Sequence, residues 1–477
     1  SSSSSSSQLP PAVRVLETCR VAPSRDGLPP IGEEGASLPL TFFDVRWVRS
    51  HPMERLFFYR WHDADTPRLL HSVLPRLTRA LSLTLRHYYP LAGRLRAVPP
   101  GSDAFEIYCT DSDSVPLTLA ESDGDFLRLA GDQPRGLHEL RPLVPQILGA
   151  ADGGADSPQP LMALQVTVFP GAGVCVGVSI HHSACDGSVF TRFVKAWAAA
   201  CCSPPEEDVA WVPPPDGELP VVDRTLVSDP KGLYTIFRDG IKSLATDSLS
   251  FPKYDGPDPV LSTFLLRRAH IEELRRRVPS PPPPLGTRYS SFVLAVAHVW
   301  VCLLRAEQQG TTTPGAAAGD DAAHLFFAVD FRARLRPPLP AAYLGNCLGS
   351  CFVDAPRGEL VGKGGVGRAA EAIAGSVARL GEGDVLWDAE EWTGKVKERL
   401  PGRPLTIAGS PRFRVYDADF GWGRPAKVEV LGIERTGAIA LADSREEEGG
   451  IEVGFARPEP VMTRFASLFA AGLQDNN

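Results

Sequence analysis

Apolar residues recur along this chain at two periods, and those periods divide it into elements. Leu70, Val73, Leu74, Leu77, Leu81 and Leu85 fall three or four apart and predict a helix over 69–87. Pro75 lies inside that stripe, so a kink or late start is expected. Phe292, Val293, Val296, Trp300, Val301 and Leu304 mark the buried side of a second helix, 289–307, with His298 among them as a core histidine. Further helices are predicted over 233–244, 271–278, 368–380 and 461–473. Alternating or continuous β-branched runs predict strands at 13–21, 56–59, 104–109, 115–120, 161–169, 174–180, 261–268 and 325–331. Pro170-Gly171-Ala172-Gly173 is a hairpin signal between two of them. Runs at 428–433, 438–441 and 451–455 read as a strand meander, and Leu40–Trp47 as a strand or buried turn.

The pattern fails in a few places. Ser1–Ser7 is low-complexity and expected to be disordered. Residues 203–249 carry proline and acidic punctuation without sustained periodicity, apart from one short helix, and read as a crossover. Gly27–Gly35 and Gly310–Asp321 read as loops. With 477 residues the chain can hold two or three cores. A net charge of −8 argues against a general nucleic-acid partner. Nothing approaches eighteen consecutive apolar residues, so no membrane span is expected. Nine cysteines scattered through apolar segments read as buried thiols in a reducing compartment, by default the cytosol.

The chemistry concentrates between Val174 and Ala200. A buried strand, VCVGVSI, runs into HHSACDG and then into a helix with Phe190, Phe193, Val194 and Trp197 on one side. A strand-to-helix turn is where a rigid scaffold presents side chains. His182 is suited to accept a proton near neutral pH. Asp186 is four residues on, but Gly187 is a poor helix-interior residue, so the helix is expected to begin at or just after Asp186. Asp186 then holds the turn, as an N-cap or with a buried arginine, instead of orienting His182. Alone, His-x-x-x-Asp arises often by chance. His181, His182, Cys185 and Asp186 could be metal ligands, but no second Cys/His cluster has zinc-like spacing, and no metal is expected.

HHSACDG, followed more than two hundred residues later by DFGWG at Asp419–Gly423, resembles the BAHD family of plant CoA-dependent acyltransferases. YYPLAGRL (Tyr88–Leu95) is similar to the family segment after its first long helix. FRARLRPPLPAAYLGNC (Phe331–Cys347) resembles the YFGNC-type motif of the anthocyanin and flavonoid glucoside branch, with Leu344 in place of Phe, and LPLTFFDVRW (Leu38–Trp47) also resembles that branch. The resemblance spans roughly residues 12–470. Asp-Phe-Gly also occurs in protein kinases, but only 56 residues follow Gly421, and no Gly-rich loop or His-Arg-Asp loop precedes it.

The resemblance implies an α/β fold of two similar-sized mixed-sheet domains, chloramphenicol-acetyltransferase-like, with a channel between them. After a tail of residues 1–11, these would be residues 12–202 and 260–477, joined by the crossover 203–259. It implies a monomer that moves an acyl group, malonyl or hydroxycinnamoyl, from acyl-CoA as co-substrate to a hydroxyl of a flavonoid, anthocyanin or phenolic glucoside. An amine acceptor, or a binding homologue of weak activity, is the alternative. His182 is implied as general base, and Asp186 as the residue that holds the loop. Asp419, Gly421 and Trp422 are implied as structural, with an Asp419–Arg332 ion pair. Positions that supply Thr and Trp in some members are Ala408 and Ser410 here, which leaves the Ser410 hydroxyl as an oxyanion candidate. Some malonyl-specific members carry an arginine eight residues after the histidine. That position is Phe190, with Arg192 two further on, and both are acyl-pocket candidates. Arg267, Arg268, Ser290 and Ser291 are candidates for the CoA phosphates.

Overall fold

The computed structural model describes residues 13–26, 30–31, 35–147, 158–203, 218–246, 258–309 and 321–474. The serine tail, most of the Gly27–Gly35 loop, the insertion at 310–320 and the crossover stretches 204–217 and 247–257 lie outside the described residues.

Two large mixed sheets carry the fold. The first has six strands, in the order Val13–Val21, Val115–Ser122, Met162–Phe169, Gly173–Ile180, Met53–Arg60 and Lys427–Leu431. The second has seven: Leu348–Pro356, Ala322–Asp330, Leu405–Gly409, Ile439–Asp443, Ile451–Arg457, Val260–Leu266 and Arg135–Gly136. A small four-stranded sheet flanks the first. Strands 162–169 and 173–180 are buried along their whole length, as their unbroken apolar runs require. They pair as the expected hairpin, Phe169 opposite Gly173. Gly171 takes the left-handed conformation at its tip, with φ +72°.

Helices Leu74–His87 and Gly187–Cys202 cover one face of the first sheet, where Leu77, Leu81, Phe193 and Trp197 are fully buried. Pro75 has the expected effect. The helical path widens to a π turn over Leu69–Val73, because proline cannot donate to a carbonyl one turn back. Helix Ser291–Gln308 is long and apolar enough to cross a bilayer by composition, yet it lies in the core of the second half. There His298 meets the Phe469 carbonyl at 3.2 Å. The arginines of helix Arg268–Arg277 pair within one turn, Arg275 with Glu272 and Arg276 and Arg277 with Glu273.

One predicted element is corrected. Residues 428–433 do not join a meander with 438–441. Gly432, at φ +82°, and a short 3₁₀ turn redirect the chain, and strand 427–431 pairs with Met53–Arg60 of the first sheet. Strand 135–136 makes the reverse exchange, pairing with Val260 and Leu261. Each sheet therefore takes one strand from the other half of the sequence.

Buried charges lock this exchange. Lys427 is fully buried and reaches Asp132 at 2.8 Å and Thr263 at 2.7 Å. Arg135, also fully buried, holds Glu429 and donates to the Leu129 carbonyl at 2.7 Å. Arg445 pairs with Asp132 at 2.6 Å and Glu452 at 3.3 Å. Removing Arg135 leaves the buried Glu429 with Lys427, 3.9 Å away, as its remaining cation, and breaking such a buried pair costs about 3–5 kcal/mol. Arg135→Met is expected to lower the unfolding free energy by that amount in urea titrations followed by circular dichroism.

Candidate active site

The strand Gly173–Ile180 ends one residue before His181, and the turn 181–186 feeds helix Gly187–Cys202. Two bonds fix the turn from inside: His181 N donates to the Leu161 carbonyl at 2.7 Å, and Ala184 N to the His181 carbonyl at 3.0 Å. The His181 ring is occupied locally, 2.8 Å from the Ser183 hydroxyl. Asp186 is the N-cap, its Oδ1 accepting from Val189 N at 3.2 Å.

The other oxygen of Asp186 is committed to the second half of the chain. It accepts from Arg332 at 2.8 Å and from the Cys347 amide at 3.1 Å. Arg332 also donates to the carbonyls of Tyr343 (3.2 Å) and Gly345 (2.9 Å) and pairs with Asp330 at 3.1 Å. The expected Asp419–Arg332 pair is thus corrected: the partner of Arg332 is Asp186. The reason is placement. Arg332 follows strand 322–330, whose end lies beside Leu348 and hence Cys347. Asp419 stands at the opposite end of helix 187–202, where Cys202 Sγ meets its carbonyl at 3.3 Å. A helix of 16 residues puts about 24 Å between those ends.

Asp419 instead closes its own turn. Its Oδ1 accepts from Gly421 N at 2.7 Å and Gly423 N at 2.8 Å. Gly421 has φ +99°, and a Cβ there would lie 2.9 Å from Arg76 Nη1. Phe420 is fully buried against Trp197, and Trp422 packs on Tyr59 and Trp61.

His182 is held by elements distant in sequence. Its ring stacks on Trp47, centroids 3.8 Å apart and planes 4° apart. Its carbonyl accepts from Asn346 Nδ2 at 2.8 Å. Asn346 is bound in turn by Asp44, whose Oδ1 takes the Asn346 amide at 2.9 Å and Nδ2 at 3.1 Å. Asn346 and Cys347 thus grip both ends of the turn, one at His182 and the other at Asp186. The His182 Nδ1 is buried with no hydrogen-bond partner among the described residues. Among the described residues no carboxylate orients this imidazole; the stack on Trp47 does.

Burial pushes His182 down to about 4 against opposing hydrogen bonds, and the guanidinium charges of Arg46 and Arg55 add a smaller push in the same direction as burial. The imidazole is therefore neutral, and able to accept a proton, at every pH above about 4. Cys185 is fully buried, and burial, then the Asp186 carboxylate, raises its thiol far above the ordinary range, so it is not a nucleophile.

The remaining sequence candidates fall into separate places. Ser410 caps the turn Pro411–Phe413, its hydroxyl accepting from Arg412 N at 3.2 Å. Phe190 is fully buried with the Arg55 guanidinium 4.4 Å above its ring. Arg192, two residues on, projects about 200° away around the helix. Arg267 pairs with Glu446 at 2.8 Å, and the Arg268 amide donates to Glu447 at 2.7 Å. Ser290 caps helix Ser291–Gln308, and the Ser291 hydroxyl receives Arg275 at 3.3 Å. No metal-binding cluster occurs among the described residues. Sequence reasoning missed Trp47, Asn346 and Asp44 as supports of His182. Their only signal was that they lie within LPLTFFDVRW and YLGNC.

Comparison with known proteins follows from this geometry. A family model described as "Transferase family" matches residues 13–471. The chain is 35% identical to a malonyl-coenzyme:anthocyanin 5-O-glucoside-6'''-O-malonyltransferase of Salvia splendens, covering 96% of this chain and 95% of that protein. It is also 35% identical to phenolic glucoside malonyltransferase 1 of Arabidopsis thaliana (97% and 98% covered). It is 32% identical to an Arabidopsis coumaroyl-CoA:anthocyanidin 3-O-glucoside-6''-O-coumaroyltransferase (96% and 97%). Among solved structures the fold is similar to vinorine synthase, with TM-score 0.68 at 21% identity over 96% of this chain and 98% of that one.

Two outcomes are expected. The acid limb of the pH–kcat/KM profile falls near pH 4 instead of 6.5, since His182 loses its base function only as pH drops through its lowered value. Asp186→Asn lowers stability by about 3 kcal/mol, because the buried Arg332 keeps only the half-exposed Asp330 carboxylate, at 3.1 Å, as a charged partner. Asp419→Asn, which keeps an acceptor oxygen for its turn, costs about 1 kcal/mol. Denaturant titration of the two variants distinguishes them.

Proposed function

Because the chain belongs to the BAHD family of transferases, we propose that it transfers an acyl group, malonyl or hydroxycinnamoyl, from acyl-CoA to a hydroxyl of a flavonoid, anthocyanin or phenolic glucoside. The observation that carries the mechanism is a neutral His182, held flat against Trp47 with its neighbouring carboxylate committed elsewhere. His182 takes the proton of the acceptor hydroxyl as that oxygen attacks the thioester carbonyl. The tetrahedral oxyanion then collapses, breaking the C–S bond. The departing CoA sulfur takes the proton back from the imidazolium, leaving ester, free CoA and neutral His182. No acyl-enzyme forms, which fits the inert Cys185 thiol.

Acceptor and donor classes follow the named relatives, which act on glucosides with malonyl-CoA or coumaroyl-CoA. All nine cysteines are free thiols, and seven are buried, which supports action in the reducing cytosol. The chain acts as a monomer in this reading.

The test is release of CoA thiol by the purified protein with malonyl-CoA and p-coumaroyl-CoA, each against a flavonoid glucoside. His182→Ala is expected to lose about 100-fold or more in kcat. Equal release by the variant would reject His182 as the base. Turnover of amine acceptors only would move the protein to N-acylation.

A further inference from the structure

Charged side chains, Arg55, Lys427, Glu429 and Glu452 among them, line a narrow cleft between the two sheets, a space that His182 itself does not line. Lys427, Glu429 and Glu452 on that wall belong to the locked set described above. In that set three carboxylates (Asp132, Glu429, Glu452) meet three cations (Arg135, Lys427, Arg445), so it adds no net charge.

Arg55, on the same wall, is different. It is only 5% exposed, yet among the described residues no carboxylate pairs with it, and burial pulls its guanidinium down to about 10. Its Nη1 donates to Thr191 Oγ1 at 2.6 Å, and that hydroxyl in turn donates a hydrogen bond to the Gly187 carbonyl at 2.8 Å. The guanidinium lies 4.4 Å over the Phe190 ring and 5.7 Å from that of Phe413. Gly187 leaves the room: a Cβ there would stand 3.2 Å from Arg55 Nη2 and 3.0 Å from Phe413. Strand alternation puts Arg55 on the same face of strand 53–60 as Phe57 and Tyr59, the face that helix 187–202 covers. It is thus on the His182 side of the sheet, close enough for its charge to act on that imidazole.

A buried cation with one neutral hydrogen-bond partner is costly to keep. The cost is recovered when an anion enters the cleft. A malonyl donor carries such an anion two carbons from the thioester carbonyl, where a group beside the His182 turn can meet it. We propose that Arg55 receives the distal carboxylate of a malonyl-type acyl donor, with Phe190 and Phe413 as the dry walls of that subsite. This rests on the acyl transfer proposed above and names its donor class. The cation comes from strand 53–60, so Phe190 is compatible with a carboxylate donor.

The shared chemistry, an anion on a guanidinium, could also come from the CoA phosphates, and the donor panel separates the two. Thiol release is measured with malonyl-CoA, acetyl-CoA and p-coumaroyl-CoA for the full chain, Arg55→Met and Arg55→Lys. The wild type is expected to prefer malonyl-CoA over acetyl-CoA. In Arg55→Met the malonyl/acetyl ratio of kcat/KM falls about 30-fold, and Arg55→Lys regains part of it. An unchanged ratio, or an equal loss with all three donors, overturns the proposal. The equal loss assigns Arg55 to the CoA moiety. Should Arg55→Met fail to fold by circular dichroism, calorimetry on the wild type decides, with malonyl-CoA binding at least about tenfold tighter than acetyl-CoA expected and equal binding overturning it. If no donor releases thiol, the transfer reading fails, and calorimetry of malonyl-CoA and acetyl-CoA on the wild type and Arg55→Lys still tests Arg55 independently, an unchanged malonyl preference in the variant overturning the proposal.

Discussion

The ion pair between Asp186 and Arg332 is the constraint on which the site depends. Both groups are almost wholly buried, and taking two charges out of water costs several kcal/mol each. Here the attraction is supplemented until the pair is sustainable. Asp186 also caps a helix and takes the Cys347 amide, while Arg332 serves two backbone carbonyls. The pair ties the start of helix 187–202 in the first half to the strand ends of the second half. The turn between them has no freedom to drift, and His182 is fixed by what its neighbour does.

This arrangement solves a different problem from that of a catalytic triad. In a triad a carboxylate orients the imidazole and stabilises its cation. Here the carboxylate is spent on structure, and orientation comes from the flat contact with Trp47 and from Asn346 on the main chain. The environment, dry and flanked by Arg46 and Arg55, disfavours the imidazolium. In the proposed transfer, a proton taken up by His182 is therefore held briefly and returned readily, which suits a leaving thiolate that needs it within the same encounter. The same surroundings leave Cys185 protonated, so the chemistry passes over it.

Much of this was legible in the sequence, for identifiable reasons. Long stripes such as Leu70–Leu85 and Phe292–Leu304 signal helices because one face must be buried. The widened turn ahead of Pro75 and the helix beginning at Gly187 followed from local backbone chemistry. His182 was visible as a histidine presented on a strand-to-helix turn, and the structure places it there. Contacts across sequence distance were not legible. Nothing in Lys427–Leu431 alone says which sheet it will join, since either edge would accept its pattern; its charged partners Asp132 and Arg135 come from a distant segment. The partner of Arg332 was misassigned for the same reason: two aspartates were available, and only the tertiary path places one of them near it. The unpaired state of Arg55 is likewise a property of its surroundings, invisible in Met-Glu-Arg-Leu.

The exchange of strands has a consequence for how the chain is made. Met53–Arg60 pairs on one side with Gly173–Ile180, which follows soon after it, but its other edge waits for Lys427–Leu431. During synthesis that edge is bare until nearly the whole chain has been translated. A long apolar strand with open hydrogen-bonding groups is a template for wrong pairing. The halves cannot finish folding one after the other, as independent domains do. Production of this protein is thus exposed to aggregation for most of the time a ribosome spends on it, and separate expression of either half leaves a sheet with a strand missing.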